Sequence, residues 1–328
     1  MNKKTFLSFG RRQSVCIAVL LAIAATAALT SCSDDDTLGS TASDNGNAIR
    51  FTTSIARFTG NDATDNPGTR ATINDEDGKG NFANDDETTI IGFAYIGTSI
   101  VTKEHPAIYK DGTWITDMTW DEFGEVEWVR FSAFFPKRSL ADFDENGQME
   151  INPTDQSTPE KYAACDWISA AATGKKADQP TIQLTFFHRM YRLTVNLSLS
   201  DSPGKLTQTD VDNATVVIKN METKGVVSFS GGVEPQAGNT GDITPLESAG
   251  NTFRVLLLRQ DVTPGTPWIE VTVGDRTVTY AVPAGLTTLR EGKEQVVNLK
   301  LSDSGNSDTK SITLSGQKNA VTAGASGT

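Results

Sequence analysis

Cysteine is almost absent from this chain: among 328 residues only Cys16, Cys32 and Cys165 carry a thiol. Cys16 lies inside an N-terminal apolar run and Cys32 closes it, so beyond that point Cys165 stands alone and no disulfide can join folded parts. Stability must come from packing, with Cys165 itself read as a small core residue. Histidine is equally scarce. His105 and His188 occur in neither an HExxH spacing nor a nucleophile elbow, and no Cys/His cluster has zinc-ligand spacing. His188 follows Phe186 and Phe187 in an alternating stretch, the setting of a structural histidine. No window holds a capped 3.6-residue apolar period, so no helix start offers itself as a phosphate cradle. Positive charge is in deficit too. A formal net charge of −12 without a basic stripe disfavours nucleic acid as a partner. Carboxylates are plentiful, yet a glycosidase pair is defined by its separation in a cleft, which spacing along the chain does not supply.

What the chain does have begins at its N-terminus. Lys3, Lys4, Arg11 and Arg12 precede an apolar run from Val15 to Leu29, in the order of a bacterial export signal. The run falls short of the roughly 20 residues that a spanning helix needs. It ends Leu29-Thr30-Ser31-Cys32, which resembles the lipobox of bacterial lipoproteins. That resemblance implies that residues 1–31 are a lipoprotein signal peptide and that Cys32 is acylated after cleavage, with fatty chains such as palmitate. Several acyl chains hold far better than the marginal grip of one, so the expected mature protein is anchored to the outer membrane rather than spanning it. Loss of the signal's four positive charges takes the net charge from −12 to −16. Ser33-Asp34-Asp35-Asp36 then resembles the acidic export tag of surface-displayed Bacteroidota lipoproteins. Residues 32–47 read as a disordered acidic tether.

Beyond the tether, short period-two segments alternate with Gly, Asp, Asn and Pro clusters, the pattern of an all-β chain. Ile49, Phe51 and Ile55 share one face of a first strand. Thr88 to Ile96 and Val126 to Phe135 follow, the latter with Phe131, Ala133 and Phe135 on one face and Arg130 and Ser132 on the other. In "TIQLTFFHRMYRLTVNLSLS" the apolar parity switches from even (Ile182, Leu184, Phe186, Met190) to odd (Leu193, Val195, Leu197, Leu199). A strand cannot change faces without an extra residue, so a bulge or an inter-domain crossover is expected near Tyr191 and Arg192. Further strands are expected at Ala214–Ile218, Val226–Phe229, Phe253–Leu258 and Val297–Leu301, with a hairpin turning at Gly274-Asp275. About 295 residues after Cys32 suit two domains. The spacing fits two β-sandwiches, over 48–187 and 188–302, with a Ser/Gly-rich tail over 303–328 that holds one weak strand at Ile312–Leu314.

Asp142, Asp144, Asn146 and Glu150, with Gly147 at the turn, match the first half of a calcium loop. Pro153 occupies the place of the closing bidentate Glu, so a plain Asp/Asn/Gly turn competes with calcium. Asp75, Asp77 and Asp86 make a weaker match, with Lys79 at a ligand position.

Several segments, taken in order, resemble the fimbrillin family of Bacteroidales. They are "TRATI" at 69–73, "TIIGFAYIG" at 89–97, "IYKDGTWI" at 108–115, "EWVRFSAFFP" at 127–136, "PTDQSTPEKYAACDWISAAA" at 153–172 and "LTFFHRMYRLTVNL" at 184–197. The resemblance implies tandem transthyretin-like Greek-key β-sandwiches and a pilus subunit that catalyses nothing and needs no cofactor. It also implies trimming by an Arg-specific protease, here at Arg70-Ala71, with Arg57 as the nearest competing site. Release of Ile49, Phe51 and Ile55 would then open a groove for a strand of another fimbrial subunit. Two other readings remain open at this point. One is a non-polymerising surface lipoprotein that binds glycan or a host ligand, using an aromatic platform of Trp114, Trp120 and Trp128; the other is a surface hydrolase.

Overall fold

The computed structural model describes residues 47–59, 80, 82–178, 181–229, 231–248, 250–303 and 312–317, all within one compact unit spanning Asp44–Thr328. The expected signal peptide, Cys32, most of the acidic tether, Arg70, Ala71 and most of the tail lie outside the described residues.

The chain is all-β. Its first group of elements is β1 (Phe51–Ile55), β2 (Glu87–Ile96), β3 (Ser99–Lys110), β4 (Thr113–Ile115), β5 (Trp128–Phe135), β6 (Gln148–Ile151), the short helix α1 (Pro159–Cys165), β7 (Ile168–Lys175) and β8 (Ile182–His188). Then come β9 (Tyr191–Leu199), helix α2 (Gln208–Asp212), β10 (Thr215–Glu222), β11 (Gly225–Ser228), β12 (Val233–Pro235), β13 (Thr240–Ile243), β14 (Leu246–Ser248), β15 (Thr252–Leu257) and β16 (Gln260–Asp261). The last are β17 (Pro267–Val273), β18 (Arg276–Ala281), β19 (Thr288–Leu289), β20 (Glu294–Asp303) and β21 (Ile312–Gln317).

Alternation dictates which side of each strand is buried. In β5, Val129, Phe131 and Ala133 point inward with Ile90 and Ala94 of β2, while Trp128 and Arg130 face out. The sheet β1-β4-β3-β2-β5-β7-β8 closes into a barrel, because β1 pairs with both β4 and β8. The barrel interior is one apolar core. A second core lies between the four-stranded sheet β13-β10-β17-β18 and the five-stranded sheet β14-β15-β9-β20-β21, with Val195, Ile218, Trp268 and Leu299 among its buried members.

The parity switch near residue 190 is a crossover: β8 stays in the barrel, whereas β9 enters the five-stranded sheet. Arg189 and Met190 make the step, with Met190 buried. Two features depart from the expected pattern. β6, from the first half of the sequence, pairs with β11 of the second half and so joins the two groups. α1 has no 3.6-residue apolar stripe; Thr158 caps it by accepting a bond from the Lys161 amide, and Pro159 occupies the first turn.

Candidate functional site: the first strand and its groove

β1 holds its place by main-chain pairing along its two edges and by side chains that plug the barrel interior. All five of its residues pair in parallel with β8, from Phe51 opposite Ile182 to Ile55 opposite Phe186, whereas only Phe51 and Thr52 pair with β4. The Ile182 amide donates to the Arg50 carbonyl (2.8 Å) and the Ala56 amide to the Phe186 carbonyl (2.8 Å). Ile49, Phe51 and Ile55 are all buried in the barrel core, and Phe51 meets Phe131 edge to face at 5.1 Å. The structure thus brings together the three first-strand residues expected from the sequence.

A fourth plug was not legible in the sequence. After β1 the chain turns irregular, and Phe58 drops into a different cluster with Trp167, Met190, Val227, Val233, Leu256 and Leu258. Its ring stacks on His188 at 3.8 Å and lies under the Arg192 guanidinium at 4.6 Å. Both partners are held from behind. His188 Nδ1 is 2.8 Å from an Asp166 carboxylate oxygen. Arg192 grips Glu294 with two bonds, Nε to Oε1 (3.0 Å) and Nη2 to Oε2 (2.7 Å). Next to Phe58, the Thr59 amide donates to the Gly292 carbonyl (2.9 Å) and Lys293 Nζ to the Thr59 hydroxyl (2.8 Å). The segment 49–59 therefore runs from the barrel core to the start of β20.

The other candidate residues have local partners. Asp142 accepts from the Ser139 amide (2.7 Å), and one Asp144 oxygen accepts from the amides of Asn146 and Gln148 (2.8 and 2.9 Å). Glu150 reaches Lys224 at 3.3 Å. Asp144 thus shapes the turn ahead of β6 while Asp142 and Glu150 have partners of their own, and among the described residues no group of three or more His, Cys, Asp or Glu could hold a metal ion. Burial pushes the Cys165 thiol up to about 11, with the Asp166 and Asp155 charges adding to it, which keeps it protonated and unreactive near neutrality. Trp114 and Trp120 are core residues. Trp128 is 53% exposed on β5, and Tyr95 is 70% exposed on the neighbouring strand β2.

His105 forms a clamp the sequence did not suggest. Nδ1 lies 2.5 Å from Asp117 and Nε2 2.7 Å from Glu122. Partial burial opposes its charge as the largest single influence, but the two hydrogen bonds and both carboxylate charges together raise its pKa. Asp117 is lowered chiefly by its bond to His105; Glu122 is lowered because bonds from Thr119 and His105 outweigh its burial. The imidazolium's contribution is therefore full below its ordinary value of about 6.5 and is lost as pH rises through the raised folded value. The carboxylates' contribution is lost only in acid, as pH falls through their lowered values. His105→Gln is expected to destabilise the fold by about 0.5–1 kcal/mol at pH 6, a modest figure for a partly exposed cluster, and the deficit should shrink by pH 9. Paired thermal melts at the two pH values check this.

The profile of the fimbrillin-like family matches residues 69–316, well over half the chain. This chain belongs to the fimbrillin-like family. No curated protein matches it. Among solved structures, it resembles a candidate cell adhesion protein from Bacteroides uniformis at 16% identity and TM-score 0.60, over 83% of this chain and 98% of that one. A candidate cell adhesion protein from Bacteroides ovatus aligns at 16% identity and TM-score 0.52, over 82% and 95% of the two chains. At that identity the two structures speak to the fold. Family membership places the fimbrillin-like chain among fimbrial and adhesive proteins of the cell surface, which are structural proteins and not enzymes.

Proposed function

We propose that this fimbrillin-like chain is a pilus subunit exported as a lipoprotein through Cys32, trimmed at Arg70-Ala71 and assembled by replacement of β1 with a strand from another subunit. The observation that carries the reading is β1 itself. It is five residues long, closes a barrel, plugs it with Phe51 and Ile55 next to Ile49 just ahead of the strand, and pairs mainly in parallel with β8, slightly less stable per residue than antiparallel pairing. A cut after it would leave it held by noncovalent bonds alone. The family match begins at residue 69, one residue before Arg70, so segment 49–59 lies outside the shared region. Arg57 is a poorer protease site, because its neighbours Ala56 and Thr59 are hydrogen-bonded and Phe58 is buried. In this reading the barrel core and the core between the two larger sheets belong to tandem transthyretin-like domains over 48–187 and 188–302, with the Phe58 cluster drawing residues from both.

Arg70→Gln tests it. The variant is expected to remain untrimmed on the cell surface and to form no fibres, as seen by electron microscopy and immunoblotting. Normal fibres from this variant overturn the assignment of the site. The exposed pair Tyr95 and Trp128 favours a second reading, glycan binding by a non-polymerising lipoprotein. That reading expects Trp128→Ala to abolish binding on a glycan array while leaving the fold intact.

A further inference from the structure

We propose that the Phe58 site is a specificity pocket of the β1 groove: the strand that takes β1's place must carry an aromatic ring there, in addition to the apolar plugs of the barrel. This deepens the strand-replacement reading above and rests on it. The groove has two compartments with different chemistry. The barrel compartment, filled by Ile49, Phe51 and Ile55, is lined by apolar groups such as Ile182, Leu184 and Phe131, and accepts any side chain of suitable volume. The second compartment is built differently.

There, one ring faces an imidazole and a guanidinium, each buried and each braced by its own carboxylate: His188 by Asp166, and Arg192 by Glu294. A planar π face satisfies both neighbours, by stacking on one and by cation–π attraction to the other. An aliphatic side chain fills part of the volume and offers neither. An empty compartment leaves apolar walls and a braced but uncovered guanidinium open to water.

The geometry also fixes the spacing. Phe51 and Phe58 are seven residues apart, a separation that alternation would put on opposite faces of one strand. Both are buried because β1 ends at Ile55 and residues 56–58 leave the strand to cross from one core to the other. A fitting partner is therefore an extended segment with a barrel plug and, about seven residues away, a ring.

The test uses the folded full chain with a specific protease site placed across Arg70-Ala71, nicked and then mixed with labelled peptides of residues 47–59. Native mass spectrometry reads the exchange. The native peptide is expected to replace the resident segment. A Phe58→Leu peptide should compete about tenfold less well, whereas Phe58→Tyr should retain most of the binding. Equal incorporation of the Leu and Phe peptides overturns the pocket and leaves strand replacement standing. Failure of every peptide, the native one included, to exchange overturns strand replacement and the pocket with it.

Discussion

Phe51→Ala in the untrimmed chain should lower the free energy of unfolding by about 3–5 kcal/mol, the usual cost of emptying a buried phenylalanine site. Phe51 is fully buried and meets Phe131 edge to face, and its backbone pairs with strands on both sides. The cavity would lie where β1 closes the barrel, and collapse around it is limited because β4 and β8 are held apart by β1's own main chain. A domain's whole stability is about 5–15 kcal/mol, so the change should be plain in a denaturant titration. A loss below about 1 kcal/mol would mean that β1 contributes little to the barrel.

Glu294→Ala should cost a similar amount, about 3–5 kcal/mol, for a different reason. Glu294 and Arg192 stand opposite each other in the parallel pairing of β20 with β9 and form a two-bond ion pair, with the Arg192 side chain 2% exposed. Removing the carboxylate deprives a buried guanidinium of its bidentate partner. The double replacement Arg192→Met with Glu294→Leu should recover most of the loss, since an apolar pair often packs as well as a buried ion pair. Urea unfolding of the single and double variants checks both statements, and a single variant as stable as the parent contradicts the first.

Legibility in the sequence followed how cleanly each strand separates its faces. β9 was legible because apolar and polar residues alternate along its whole length, and β5 and β8 because most of their positions do, although Phe134 and Phe187 interrupt them and β5 buries Ser132 and Phe134 on its second face as well. β3 was not: Lys103 and His105 take positions between the inward-facing Val101 and Ala107, and Pro106 breaks the run. The proline is tolerated because β4 pairs only with Ile108 to Lys110, so that among the described residues Pro106 has no strand partner on that side. The pairing of β6 with β11 connects residues about 75 apart and leaves no local trace. At the candidate site, Ile49, Phe51 and Ile55 announced themselves by alternation, while Phe58 was missed because it follows the end of the strand and belongs to another core. Its one signal was a lone aromatic beside a polar loop. The Asp142–Glu150 stretch shows the reverse case, a recognisable oxygen pattern in which Asp144 serves the turn, Asp142 accepts from the Ser139 amide and Glu150 reaches Lys224.

In the proposed assembly the working subunit has lost its first strand. The most direct measurement is the intact mass and N-terminal sequence of the chain recovered from the cell surface. Strand replacement predicts a chain that begins at Ala71, without the acyl groups of Cys32 and without β1. A surface chain that keeps acylated Cys32 and every residue after it contradicts strand replacement and identifies a permanently tethered protein instead.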